Sequence, residues 1–92
     1  MDNKIIEQLF ILAKSEIENG HSKNAYKCLN PFIKREYPEA LFLYSMFSFR
    51  KGESLEDFDK RSIALLQKAS TLEHPAAMYA LAGYYDTGDI VP

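Results

Sequence analysis

Apolar residues recur at spacings of three and four along most of this chain, in five separate runs. In the first, Ile5, Ile6, Leu9, Leu12, Ala13 and Ile17 follow a capping residue, Asp2 or Asn3, and stop at Gly20, which predicts an amphipathic helix. Ser22 then caps a second helix with Ala25, Leu29, Phe32 and Ile33 on one face, and Pro31 inside it removes one backbone donor and is expected to bend its last turn. A third run opens at Pro38, a favoured first-turn residue, and reads EALFLYSMFSF before Arg50, Lys51 and Gly52. It is apolar nearly all round. Its good helix formers predict a helix at the centre of a packed array, although its aromatics would also suit a strand.

After the polar stretch ESLEDFDKRS, Ser54 and Asp57 have the spacing of a capping box, and Asp57 and Asp59 put negative charge where the first amides are unpaired. The fourth helix carries Phe58, Leu65, Leu66, Ala69 and Leu72; a fifth, opened by Pro75, carries Met78, Leu81, Ala82 and Tyr85 and ends at Gly88. No run alternates as a strand would. The fold class read from this pattern is all-α.

The pattern also repeats. Setting CLNPFIKREYPEALFLYSMFS over LLQKASTLEHPAAMYALAGYY aligns Pro38 with Pro75 at an offset of 37 residues, and with it Leu29 with Leu66, Glu36 with Glu73, Ala40 with Ala77 and Phe47 with Tyr84. The first helix joins the series, with Leu9, Leu12 and Ala13 in the places of Leu41, Tyr44 and Ser45. Periodicity of this length predicts stacked helical hairpins, with Leu9, Leu12, Leu29, Leu41, Tyr44 and Leu66 forming one continuous core.

The stretch LLQKASTLEHPAAMYALAGYYDTGDIVP resembles a Sel-one-like repeat, a relative of the tetratricopeptide repeat, through Lys68, Ala69, His74, Pro75, Ala77, Leu81, Tyr85, Gly88, Val91 and Pro92. Residues 6–37 look more like a plain tetratricopeptide unit. The resemblance implies a right-handed stack of hairpins in one domain over residues 1–92. Repeat 1 would cover 6–37 and repeat 2 would cover 38–74. Residues 75–92 would be the first half of a third, with the last hairpin incomplete. Where the family usually has Gly before the turn proline, this chain has Glu36 and Glu73, which either costs about 1 kcal/mol or changes the turn.

In arrays of this family the first helix of each hairpin lines a concave surface. The resemblance therefore implies a protein-binding groove with Phe10, Phe42 and Tyr79 as an aromatic ladder, Lys14 and Met46 on the next turn, and Ile17, Phe49 and Asp86 beyond. Aromatics and Met in a concave surface are what a protein-binding patch uses; against this, Phe42, Met46 and Phe49 serve equally as core. The basic places that grip a partner's C-terminal carboxylate in some tetratricopeptide domains hold Glu7, Glu39 and Ala76, so that mode is not expected. An acidic rim suits an apolar helix or a basic partner instead. Met78, Leu81 and Tyr85 sit where a second helix would cover them, which implies a homodimer or a heteromeric contact through the C-terminal helix, or a longer array.

Composition narrows the function further. Eleven Lys and Arg against thirteen Asp and Glu leave a net charge of -2, no footprint for nucleic acid. No apolar run approaches the roughly 20 residues that cross a bilayer, and the N-terminus lacks a cleavage site, so a cytoplasmic protein is expected. Cys28, without a second cysteine or a basic neighbour, reads as a structural thiol. His21 and His74 have no acid or thiol at metal-ligand spacing, and His74 reads as turn packing. The pairs Lys34–Arg35, Arg50–Lys51 and Lys60–Arg61 read as solvated charge.

No catalytic set, phosphate loop or cofactor motif is present in the pattern, so no enzyme and no cofactor are expected. The function read from the sequence is a non-catalytic adaptor that binds another protein. Its sharper form is a bacterial immunity protein that neutralises a toxin, which no residue selects. The alternative is a fragment or scaffold part of a longer Sel-one-like repeat protein.

Overall fold

The computed structural model describes residues 3–48 and 52–87, and these form five helices with no strand among them. They are α1 (Asn3–Glu18), α2 (Ser22–Lys34), α3 (Pro38–Tyr44), α4 (Leu55–Thr71) and α5 (Pro75–Thr87). Each helix packs on the next, and α1 also touches α3. The thinnest dimension, 20 Å, is about two helix diameters, so every helix keeps an outward side. No helix is long and apolar enough to cross a membrane, among the described residues.

The packing face of α1 is the stripe Ile6, Leu9, Phe10, Ala13 and Ile17, which meets Ala25, Leu29 and Phe32 of α2. Leu12, expected in the core, is 47% exposed. At about 100° per residue it lies about 120° around the helix from Ile6, off the stripe. Ile5 and Ile11 are exposed for the same reason.

In place of one continuous core there are two clusters. The first joins Ala13, Ala25, Leu29, Phe32, Ala40, Leu43, Tyr44 and Phe47; the second joins Leu41, Leu66, Ala69, Ala77 and Leu81. Ile33, Phe42 and Leu65 pack against both and bridge them. Fully buried alanines on α1, α2, α3, α4 and α5 let the helix backbones approach closely.

The turns explain how the chain reverses. After α2, Glu36 takes a left-handed φ of 59° while its N–H donates to Ile33 O and that of Tyr37 to Phe32 O, at 3.0 Å each. After α4, Glu73 does the same at φ 65°, donating to Ser70 O, with His74 donating to Ala69 O. These two turns, 37 residues apart in the sequence, share one geometry. Gly20, at φ 78°, closes α1 with the same pair of bonds, Gly20 N–H to Ile17 O and His21 N–H to Glu16 O. Two of these three helix-ending turns therefore place a glutamate in the left-handed region, where a Cβ crowds the backbone.

Several boundaries differ from those predicted. His21, not Ser22, precedes α2 as its cap residue, and Pro31 lies exposed within α2, which runs on to Lys34. The cap of α4 is as expected, with Asp57 N–H donating to Ser54 Oγ at 3.1 Å. Leu72 follows the last turn of α4 and is exposed, because the chain is already turning there. Gly88, Val91 and Pro92 lie outside the described residues. The largest difference is α3, which stops at Tyr44 instead of running to Phe49.

Candidate functional site

Why α3 stops is written in α4. Ser62, fully buried, donates from Oγ to Ser45 O at 2.7 Å. Arg61 donates to Tyr44 O at 3.2 Å and to Phe47 O at 2.8 Å, and forms a two-pronged pair with Glu53 at 3.1 and 3.2 Å. Its guanidinium lies over the Tyr44 ring at 4.6 Å and the Phe58 ring at 5.1 Å. The carbonyls at the end of α3 thus have side-chain donors and need no further helical turn. Arg61 is therefore not the solvated charge the sequence predicts: its side chain is 13% exposed and that of Glu53 is 7% exposed.

With α3 ended, Met46 sits in the turn that follows it and is half exposed. It forms one wall of an open, mostly apolar groove of about 400 Å³ together with Phe42 and Ser45. Leu66 of α4 floors the groove, Ala80 and Tyr84 of α5 form the other wall, and Phe58 stands at the start of α4. Arg61 fixes Phe58 from one side.

Phe42 is fixed by His74, whose imidazole stacks on its ring at 5.1 Å. His74 caps α5, its Nδ1 accepting from Ala77 N–H at 3.2 Å, so the ring proton is on Nε2, which donates to Glu39 Oε2 at 2.5 Å. The turn-packing role expected of His74 is what this geometry describes, with an added tie to α3. The other histidine, His21, bonds Glu16. Each histidine therefore has an acid partner that sequence spacing did not reveal, yet no group of three His, Cys, Asp or Glu could hold a metal, among the described residues.

Of the predicted groove residues, the structure brings Phe42 and Met46 together. Phe10 packs edge-on against Phe32 at 5.2 Å and Ile17 packs against the first cluster, so both serve the core. Lys14 is exposed on α1, and Tyr79, 85% exposed, is outside the groove. Phe49 and the side chain of Asp86 lie outside the described residues. Among the residues expected to self-associate, Met78 and Tyr85 are half exposed, but Leu81 is buried in the second cluster against α4.

The sequence reading missed Phe58 and Tyr84 as groove residues. Tyr84 had a signal, since it aligns with Phe47; Phe58 had only its place on the apolar face of α4. Cys28 is partly buried, and its thiol is pushed up by burial and by the charge of Glu16, which keeps it protonated and a poor nucleophile. Compared with known protein families, curated proteins and solved structures, the chain matches none.

Proposed function

We propose that this chain is a non-catalytic protein-binding adaptor of stacked helical hairpins, in the manner of Sel-one-like and tetratricopeptide repeats, and that its groove takes an apolar helix with basic flanks. The observation that carries the reading is the groove itself: half-exposed Met46 with Phe42, Phe58 and Tyr84 around an apolar floor. A Met and aromatics at a concave surface adapt to a helix face inserted by its large side chains.

Charge supports the basic flanks. From Gly52 to Thr87 the basic side chains are Lys60, Arg61 and Lys68, and each is already paired, with Glu56, Glu53 and Glu36. Asp57 and Asp59 flank Phe58 in the sequence and have no basic partner among the described residues. An incoming helix with Lys or Arg beside its apolar face is favoured there, and an acidic one is repelled.

The test is capture of the natural partner by the intact chain and by Met46→Glu, with Leu55→Glu as a control at an exposed place off the groove. A single stoichiometric partner should be lost with Met46→Glu and kept with Leu55→Glu, both variants retaining wild-type helicity. Partner binding that survives Met46→Glu would place the interface elsewhere and refute this groove.

A further inference from the structure

The offset of 37 residues puts α3 and α5 in equivalent places. Where the preceding helix covers them, the two agree: Ala40 and Ala77 are both fully buried, and Tyr44 and Leu81 are 7% and 8% exposed, against α2 and α4 in turn. On the side of the following helix they part. Leu41 is buried in the cluster that holds Leu66 and Ala69 of α4, and Ser45 is buried beside Ser62, whereas their counterparts Met78 and Ala82 are exposed. Tyr79 widens this exposed face; Tyr85 is outside it, since its hydroxyl accepts from Gln67 of α4 at 3.5 Å.

The turns carry the same contrast. Glu36 receives Lys68 from α4 at 2.7 Å, but Glu73, with the same backbone geometry, has no basic partner among the described residues. The pairs Ser62 with Ser45 and Lys68 with Glu36 run in opposite directions along α4 and α3, so α4 lies antiparallel on the helix it covers.

We propose that the face of Met78, Tyr79 and Ala82, with Glu73 at its head, docks an amphipathic helix of another protein, laid antiparallel to α5 as α4 lies on α3. A leucine of that helix covers Met78, and a lysine two residues further on meets Glu73, as Leu66 and Lys68 do for Leu41 and Glu36. The face is separate from the groove, which α5 lines with Ala80 and Tyr84. The likeness to α3 ends at Ala82, because α5 stays helical to Thr87 where α3 has stopped.

Charge selects the occupant. The charged residues that border this face in the sequence, Glu73 and Asp86, are both acidic, and α5 has no basic residue, so a basic helix is attracted there. A second copy does not fit. Its own α5 brings the same acids, and its α4, which carries the matching Leu66 and Lys68, is already held in its own fold.

A synthetic peptide of residues 54–72 carries the leucine and lysine that the face requires, and two-dimensional amide NMR of the labelled full chain reads where it binds. Saturable shifts are expected at Glu73, Met78, Tyr79 and Ala82 within a peptide concentration of about 1 mM. Met78→Glu and Glu73→Lys in the chain should each weaken binding at least about tenfold with helicity unchanged, whereas Met46→Glu, in the groove, should leave it intact. A peptide with Lys68→Glu should bind the original chain weakly and regain its affinity for the Glu73→Lys chain. No shift at these amides up to that concentration, shifts that survive Met78→Glu, loss with Met46→Glu, or a charge swap that restores nothing would each overturn the proposal. So would sedimentation of the chain alone as a dimer that Met78→Glu abolishes.

Discussion

Replacing Arg61 by Ala should cost about 3 kcal/mol, because it strands the buried Glu53 carboxylate and leaves the carbonyls of Tyr44 and Phe47 without their donor. Arg61→Lys should restore only part of this, since an ammonium cannot span the two glutamate oxygens and both carbonyls at once. Urea denaturation of the two variants measures both; a loss below about 1 kcal/mol for Ala would contradict the clamp. Glu73 tests the opposite sign. Its φ of 65° disfavours any side chain, so Glu73→Gly should stabilise by about 0.5–1 kcal/mol. The gain at Glu36 should be smaller, because Glu36 also pairs with Lys68 at 2.7 Å.

Cys28 gives a pH dependence at the same scale. Its thiol is raised in the folded chain, so the unfolded chain ionises first as pH climbs past the ordinary value of 9.0. The stability this contributes is complete at neutral pH and is lost as pH rises from the unfolded value through the folded one. Cys28→Ala should remove that alkaline component from a stability–pH curve. Consistent with the same burial, the thiol should react with an aromatic disulfide reagent at pH 8 more slowly in the folded chain than in urea.

At the scale of elements, the second cluster hangs on Leu66, which touches both the core and the floor of the groove. Leu66→Ala should cost about 3 kcal/mol and, read by calorimetry, should lower the transition of the whole chain. Helix existence was legible throughout because each run carried its own period, with start signals such as the Ser54 cap of α4 and the first-turn Pro38 of α3. The end of α3 was not. It is set by Arg61 and Ser62, 17 residues beyond Tyr44 and Ser45, and a pattern read locally carries no trace of a donor that arrives from another helix. The register failed in the same way at Leu12, where two neighbouring stripes of apolar residues, Ile5–Leu12 and Ile6–Ala13–Ile17, competed for one packing face. The Glu36 and Glu73 turns, by contrast, were legible as departures, and the structure shows that the backbone keeps the left-handed geometry and bears the crowding.

At the scale of the molecule, the groove was half legible. Phe42 and Met46 follow from their places in the third apolar run, whereas Phe58 and Tyr84 enter from α4 and α5 by a tertiary juxtaposition that no spacing encodes. The proposed binding of a basic, apolar helix rests on that juxtaposition, and it is tested most directly by two-dimensional amide NMR of the labelled chain titrated with a Leu/Lys amphipathic helical peptide and, separately, with its Leu/Glu counterpart. The Leu/Lys peptide should shift the amides of Phe42, Met46, Phe58, Ala80 and Tyr84 in a saturable way, and the Leu/Glu peptide should leave them in place. Shifts confined to other helices, equal shifts with both peptides, or none at all would contradict the account.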